Sequence, residues 1–524
     1  MGAEHTTHSG NTQHAGTQAG DVPVGSARVL VASNRGPASY TQQDDGTLTL
    51  KRGGGGLVSG LSAISDADAV WVCAALGDGD RAAARRAPGG RLDRLDDPSA
   101  RTDRPVHMLD IDPGTFARAY NGVANSTLWF VNHLLYDTPV TPAFGERFRK
   151  EWASYRAYNT AFAEALAAEA APGAAVLIQD YHLTLTPHLL RAMRPDLRIG
   201  HFSHTPWAPP DYYRLLPDDV AAEVLTGILG ADRAAFLTRR WARAFADCCA
   251  AVLGAEVRDS GSGDLVVEHD GRAVRLGVHG LGADADFLRD RAHQPDVDAR
   301  LAALRERVGA GRRTIVRVDR TELSKNIVRG LLAYRHLLTT RPEWRGRVVH
   351  IAFAYPSRHD LPEYREYTAA VQRISAEIND ELGTPDWQPV LLQVDDDFPR
   401  SLAAYRMADV ALVNPIRDGM NLVAKEVPVV SDEGCALVLS REAGAAEELA
   451  EHAVMVNPYD VIATADALHR ALSMPEAERA ERSKRLAEAA TALPPQRWFL
   501  DQLAALDAGS AGAGDRPQEG HSLA

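Results

Sequence analysis

The chain has 524 residues, more than one hydrophobic core ordinarily organises, so two or three domains are expected. A formal net charge of −13, with 45% hydrophobic and 24% charged residues, fits a globular protein and has the wrong sign for a duplex nucleic-acid binder. No apolar run approaches the roughly 20 residues that span a bilayer, and the N-terminus lacks a signal-peptide pattern, so a cytoplasmic protein is expected.

Residues 1–26 are rich in Gly, Ser, Thr, His and Gln and are expected to form a disordered tail. The first predicted strand, Val29–Ala32, runs into Ser33-Asn34-Arg35, a polar turn with a positive tip. Four glycines, Gly53 to Gly56, precede Leu57. They allow close backbone approach to a ligand, and equally suit a flexible surface loop. Strands follow at Ala69–Val72 and Val106–Leu109. Tyr120 and Trp129 then stand nine apart, a spacing that on its own reads as core. A helix is predicted over Phe148–Ala170. The strand Ala174–Ile178 leads to Gln179-Asp180-Tyr181-His182, which puts Asp180 where hydroxyl recognition is expected and His182 in a structural role. The strand Ile199–Ser203 stops at His204-Thr205-Pro206, because Pro206 holds Thr205 extended, so His204 faces the strand-end cleft.

The stretch 282–312, with Pro295 and many charges, reads as the least regular, and a domain boundary is expected near Gly280–Ala285. Beyond it, strands are predicted at Thr314–Val318, Val348–Ala354, Val390–Gln393, Val410–Val413, Ala436–Leu439 and Ala453–Val456. Helices are predicted at Ile327–Leu338, Pro362–Leu382 and Asp460–Leu472. Arg320 and Lys325 share one strand-end turn, a pair that suits a pyrophosphate. Tyr355-Pro356-Ser357-Arg358 repeats the design. Asp395-Asp396-Asp397 reads as a solvated turn rather than a metal site. Val410–Val413 leads through Asp418-Gly419-Met420 to a helix opening at Asn421 or Leu422. That helix start, running on through Val423, offers unpaired N–H groups to a diphosphate, flanked by the carboxylates of Asp418 and Glu426. Residues from about Ala508 onward read as a second disordered tail.

Alternating strands and helices in two sets predict an α/β protein of two Rossmann-like, doubly wound domains facing a central cleft. The expected limits are 27–281 and 282–485, followed by a C-terminal helix, 486–507, packing back towards the first domain, and the tail 508–524. Cys73, Cys248, Cys249 and Cys435 show no zinc-ligand spacing and are expected to be reduced and buried. The 18 histidines show no metal-cage pattern, and no metal ligand is assigned.

These segments resemble, in order and spacing over roughly residues 28–505, the trehalose-6-phosphate synthase family of retaining glucosyltransferases, which have the GT-B architecture. The resemblance implies transfer of glucose from a nucleotide diphosphate to the 1-OH of glucose 6-phosphate, without a metal or other cofactor. Arg35, Tyr120, Asp180 and Arg358 resemble the acceptor site, with the two arginines on the phosphate. Trp129 resembles a residue lining the reacting centre, and Gly55 and Gly56 the glycine loop over the donor. His204 resembles the residue touching the donor glucose, Arg320 and Lys325 the diphosphate clamp, and Phe398 a base-site residue. In the donor loop, Asp418 resembles the sugar-hydroxyl contact, Leu422 and Val423 the backbone amides, and Glu426 the ribose contact. The sequence departs from many relatives at Val72-Cys73-Ala74-Ala75 after Trp71, at Glu322-Leu323-Ser324-Lys325-Asn326, and at Thr205.

The implied partners are the nucleotide-diphospho-glucose, glucose 6-phosphate and, in the pathway, a separate phosphatase. Self-association and the donor base (uridine, guanosine or adenosine) are left open. Two other readings are a pseudo-glycosyltransferase joining a nucleotide cyclitol to an amino-cyclitol phosphate, and a nucleotide-sugar epimerase on the same fold. A silent sugar-phosphate sensor is a third. Retention of Asp418 and His204 weighs against the first, and the paired arginines against the second.

Overall fold

The structure, a computed structural model, describes residues 25–52, 69–261, 264–358 and 360–511, with side chains through residue 508. Gly55 and Gly56, and most of both expected tails, lie outside these residues. Seventeen strands are described: β1 Ala27–Ser33, β2 Ala38–Gln42, β3 Leu48–Arg52, β4 Ala69–Ala74, β5 Val106–Leu109, β6 Ala170–Gln179, β7 Arg198–Ser203, β8 Arg233–Phe236, β9 Glu256–Asp259, β10 Leu265–His269, β11 Arg272–Val278, β12 Arg313–Arg320, β13 Val348–Tyr355, β14 Val390–Gln393, β15 Val410–Val413, β16 Ala436–Ser440 and β17 Val454–Val456.

They form two sheets and one hairpin. The first sheet runs β5-β4-β1-β6-β7-β8-β11-β10-β9, the second β14-β13-β12-β15-β16-β17, and β2 pairs with β3. Every neighbour in the second sheet is parallel, as is the first sheet as far as β11. In the first sheet β9 to β11 turn antiparallel, as does the β2–β3 hairpin. Strands buried on both faces are largely apolar, as in β15 (Val-Ala-Leu-Val) and in β13, where the polar His350 is buried with its Nδ1 3.1 Å from Ile315 O. Strand order reverses between β1 and β6 in one sheet and between β12 and β15 in the other. Those are the points where doubly wound sheets open a crevice for ligands.

Several sequence expectations are corrected. The stretch 282–312 is not irregular: it holds helices Ala285–Ala292 and Pro295–Val308, and Pro295 occupies a first helical position that needs no N–H partner. Position 486 falls inside helix Glu476–Thr491, and position 508 inside helix Pro495–Ala511. The helix continues because Trp498, Phe499 and Leu506 are buried and anchor it. The donor-loop helix begins at Val423, since Asn421 has a φ of 79°, outside helical geometry. Asp397 is not solvated. It accepts the Arg400 N–H at 3.1 Å, heading helix Phe398–Arg406, and pairs with Arg300 at 2.8 Å.

The chain crosses between sheets twice. The 279–284 segment follows β11, and the chain returns after Thr491. The two crossings are bonded to each other: Gly282 N–H donates to Leu493 O at 2.7 Å, and Ala283 N–H to Ala490 O at 2.8 Å. A Cβ on Gly282 would stand 2.5 Å from Leu493 O, so only glycine fits this seam. The last helix then packs on the first sheet, with Trp498 edge-on to Phe202 at 4.9 Å and Asp507 paired with Arg198. All four cysteines are buried and unpaired. No helix among the described residues is long and apolar enough to cross a membrane.

Candidate active site

The first sheet supplies one wall at its carboxyl edge. After β1, Ser33 Oγ donates to Arg35 O at 2.7 Å, and Tyr158 OH to Asn34 Oδ1 at 2.7 Å; the Arg35 side chain is left exposed. After β6, Asp180 adopts φ 73° and accepts the His204 N–H on Oδ1 at 3.1 Å, tying the β6 and β7 ends together. Burial raises the Asp180 carboxyl above its ordinary value. The His204 ring, lowered by burial, contacts Gln179 Oε1 at 2.9 Å. Tyr120 lies in a π-type helical stretch, Arg118–Leu128, and stacks on His182 at 5.6 Å. Trp129 opens the next helix and stacks on His133 at 3.8 Å.

Arg358 comes from the other domain, after β13, with a φ of 47°. Its guanidinium lies 4.1 Å over the Trp129 ring, donates to Tyr181 OH at 3.2 Å and to Tyr364 OH at 3.0 Å, and pairs with Glu322 at 2.9 Å. Burial, then Arg358, then Arg35 depress His182 to about 3. Both arginines therefore act on one neutral ring. Tyr120 stacks on His182, His182 lies against Tyr181, and Tyr181 meets Arg358, so these residues form one cluster, although His182 reads as structural in the sequence.

The second sheet supplies the facing wall. Arg320, at the end of β12, pairs with Glu322 at 2.9 Å. Lys325 Nζ sits 2.5 Å from Asp418 Oδ2, which also accepts Asn421 Nδ2–H at 3.0 Å. Burial opposes charge on both members of the Lys325–Asp418 pair, yet each holds the other ionised: Asp418 is lowered and Lys325 raised. The two turns are joined by Ile416 N–H donating to Ser324 O at 2.8 Å. Met420 O accepts the Ala445 N–H at 2.7 Å, which fixes the loop from behind. Gly419 is required: a Cβ would collide with the His204 carbonyl across the cleft. Trp241 Nε1–H donates to Gly419 O at 2.9 Å, and Arg417 donates to Trp207 O at 2.7 Å, so the first domain grips this loop directly.

Leu422 and Val423 stand at the start of helix Val423–Val430, ahead of the Ala424 N–H, which donates to Asn421 Oδ1 at 3.0 Å, and the Lys425 and Glu426 N–H groups, which donate to Leu422 O. Phe398, 41% exposed, lies near-parallel to Phe287 at 6.5 Å. Glu426 sits in the first helical turn, 3.4 Å from Tyr405 OH, and burial pushes its carboxyl up to about 7. Between the ordinary carboxylate range and pH 7 the folded protein keeps a proton that the unfolded chain has lost. Stability should therefore fall as pH rises through this window. Glu426→Gln is expected to flatten that slope and to raise stability at pH 8 by about 1–3 kcal/mol, read by denaturant unfolding at pH 5 and 8.

Sequence reasoning missed Glu322. It is fully buried, and although burial opposes its charge, Arg320, Arg358 and Lys325 hold it down at about 2. Its one sequence signal is an acid set among cations at a strand end. Among the described residues, no group of three or more His, Cys, Asp or Glu is arranged to hold a metal ion.

Residues 27–508 match the family model of glycosyltransferase family 20. The chain belongs to that family. It is 38% identical over 385 residues to a bifunctional trehalose-6-phosphate synthase/phosphatase of Thermoproteus tenax, covering 73% of this chain and 51% of that one. The chain thus spans about half the length of that relative. It is 33% identical over 483 residues to the UDP-forming alpha,alpha-trehalose-phosphate synthase of Schizosaccharomyces pombe, covering 90% of this chain and 89% of that one. The structure matches a Burkholderia xenovorans alpha,alpha-trehalose-phosphate synthase crystallised with glucose-6-phosphate at a TM-score of 0.78 and 27% identity, covering 92% of this chain and 100% of that one. The family 20 chain is a glycosyltransferase of the GT-B class.

Proposed function

We propose that this family 20 protein is an α,α-trehalose-6-phosphate synthase of the cytoplasm, moving glucose from a nucleotide diphosphate to glucose 6-phosphate with retention. The observation that carries the reading is Arg358. It belongs to the domain bearing the diphosphate-type helix start, yet it joins Tyr181 and Trp129 of the other domain. Two anion sites, one on each side of a single cleft, suit a nucleotide diphosphate and a sugar phosphate. The glucose-6-phosphate complex of the Burkholderia relative and the UDP-forming name of the yeast relative support both substrates, with uridine as the donor base.

Arg35, Arg358 and Tyr120 hold the acceptor phosphate, and Asp180 the acceptor hydroxyls. Asp418 binds the donor glucose hydroxyls, Glu426 the ribose, and Phe398 borders the base. His204 and Trp129 line the reacting centre. Arg320, Lys325 and the Leu422 and Val423 amides neutralise the leaving diphosphate. The bond from glucose C1 to the diphosphate oxygen breaks, and a bond to the acceptor 1-oxygen forms on the same face. The acceptor proton passes to the leaving diphosphate. In this reading Arg320, Lys325 and the helix start serve the leaving diphosphate, and no metal takes part.

The test is product formation from glucose 6-phosphate with UDP-, GDP- and ADP-glucose. Trehalose 6-phosphate is expected, at an undiminished rate in excess chelator. No disaccharide phosphate from any donor would refute the function, and a strict metal requirement would refute the charge assignment.

A further inference from the structure

Glu322 is the centre of the charge pattern between the two anion sites. Its carboxylate is wholly buried. One oxygen lies 2.9 Å from Arg320 Nη1 and accepts the Ser357 hydroxyl at 3.1 Å; the other lies 2.9 Å from Arg358 Nη1. Arg320 ends β12 on the diphosphate side. Arg358 follows the adjacent β13 and reaches into the acceptor wall at Tyr181 and Trp129. One carboxylate thus joins two guanidiniums that serve different substrates. Arg320 is half exposed, and a long side chain in that setting has many rotamers to lose on binding an anion. The ion pair with Glu322 removes that freedom beforehand. Arg358, already held by two tyrosines and a tryptophan, gains a fixed partner on its remaining side.

We propose that Glu322 is a positioning residue that holds Arg320 and Arg358 as one unit, so that donor diphosphate and acceptor phosphate each meet a guanidinium already in place. The inference rests on the proposed glucosyl transfer. Glu322 itself reaches neither substrate. A competing expectation comes from charge alone: a carboxylate near two anion sites repels anions, so its removal would tighten binding. The two accounts give opposite signs.

The test is steady-state kinetics on the full chain with Glu322→Gln, which keeps the shape and removes the charge, varying UDP-glucose and glucose 6-phosphate separately. Both KM values are expected to rise, by about fivefold each, the scale of ordering one long side chain on binding. The kcat is expected to change less. Glu322→Asp, which restores the charge on a shorter stem, should shift both KM values the same way by a smaller factor. It decides the question if the Gln variant yields too little folded protein. Unmoved KM values with a lowered Tm or active fraction would mean a structural role only and overturn the inference. So would a fall in either KM, or a rise in one alone. Failure of the wild-type protein to form trehalose 6-phosphate would instead overturn the function, and this inference with it.

Discussion

Lys325→Ala is expected to lower kcat by about a hundredfold or more, about 2.7 kcal/mol of transition-state stabilisation. Negative charge on the diphosphate grows as the bond to glucose breaks, so a fixed ammonium beside it matters more in the transition state than in the ground state. Donor KM should change less, because Arg320 and the start of helix Val423–Val430 remain. Lys325 also has a second task, neutralising Asp418 at 2.5 Å. Its removal leaves a buried carboxylate with the Asn421 amide but no cation beside it, a loss of roughly 3–5 kcal/mol in folding stability. The two effects separate when rates are normalised to folded protein and Tm is measured alongside. Lys325→Arg keeps the charge and should recover stability more fully than kcat, since a planar fork does not fit where a compact ammonium sits. A kcat within about twofold of wild type for folded Lys325→Ala would assign the lysine to Asp418 alone.

Arg358→Ala is expected to cut kcat/KM for glucose 6-phosphate by on the order of a hundredfold, from loss of charge-assisted hydrogen bonds of about 1.5–3 kcal/mol each. Donor binding, followed by calorimetry with UDP, should stay within about threefold, because Glu322 keeps Arg320 as a partner. Arg358→Lys should rescue little: one ammonium cannot lie flat on Trp129 while reaching both Tyr181 and Glu322. Loss of donor affinity with acceptor use intact would reverse the assignment of this arginine.

The parallel core was legible because physics leaves it little choice of residue. β5, β14 and β15 have the limits that their apolar runs predict. β8, Arg-Ala-Ala-Phe, is too short and alanine-rich to stand out, and β9 to β11 mix charge with apolar residues because that edge is half solvated. At the cleft, Arg35, Asp180, His204 and Arg320 could be placed from sequence as strand-end residues, since a strand's end is a local property. Glu322 could not. Its importance lies in Arg358, brought beside it by the pairing of β12 with β13. His182 likewise gains its meaning from two arginines on different domains. Lys325 reads as a free cation in a turn until the fold brings Asp418 against it.

The paired crossings near Gly282 and Leu493 work like the two pins of a door. A single connecting strand would let the halves swivel in any direction. Two strands bonded side by side permit rotation about one line and resist twist and sliding. A rotation confined to that line would bring Arg358 back to the same seat on Trp129. The alignment of two reacting sugars, set by residues on opposite leaves of the door, is in that sense stored at a point that touches neither sugar. A side chain added at position 282 would meet the Leu493 and Ala490 carbonyls and push the two pins apart.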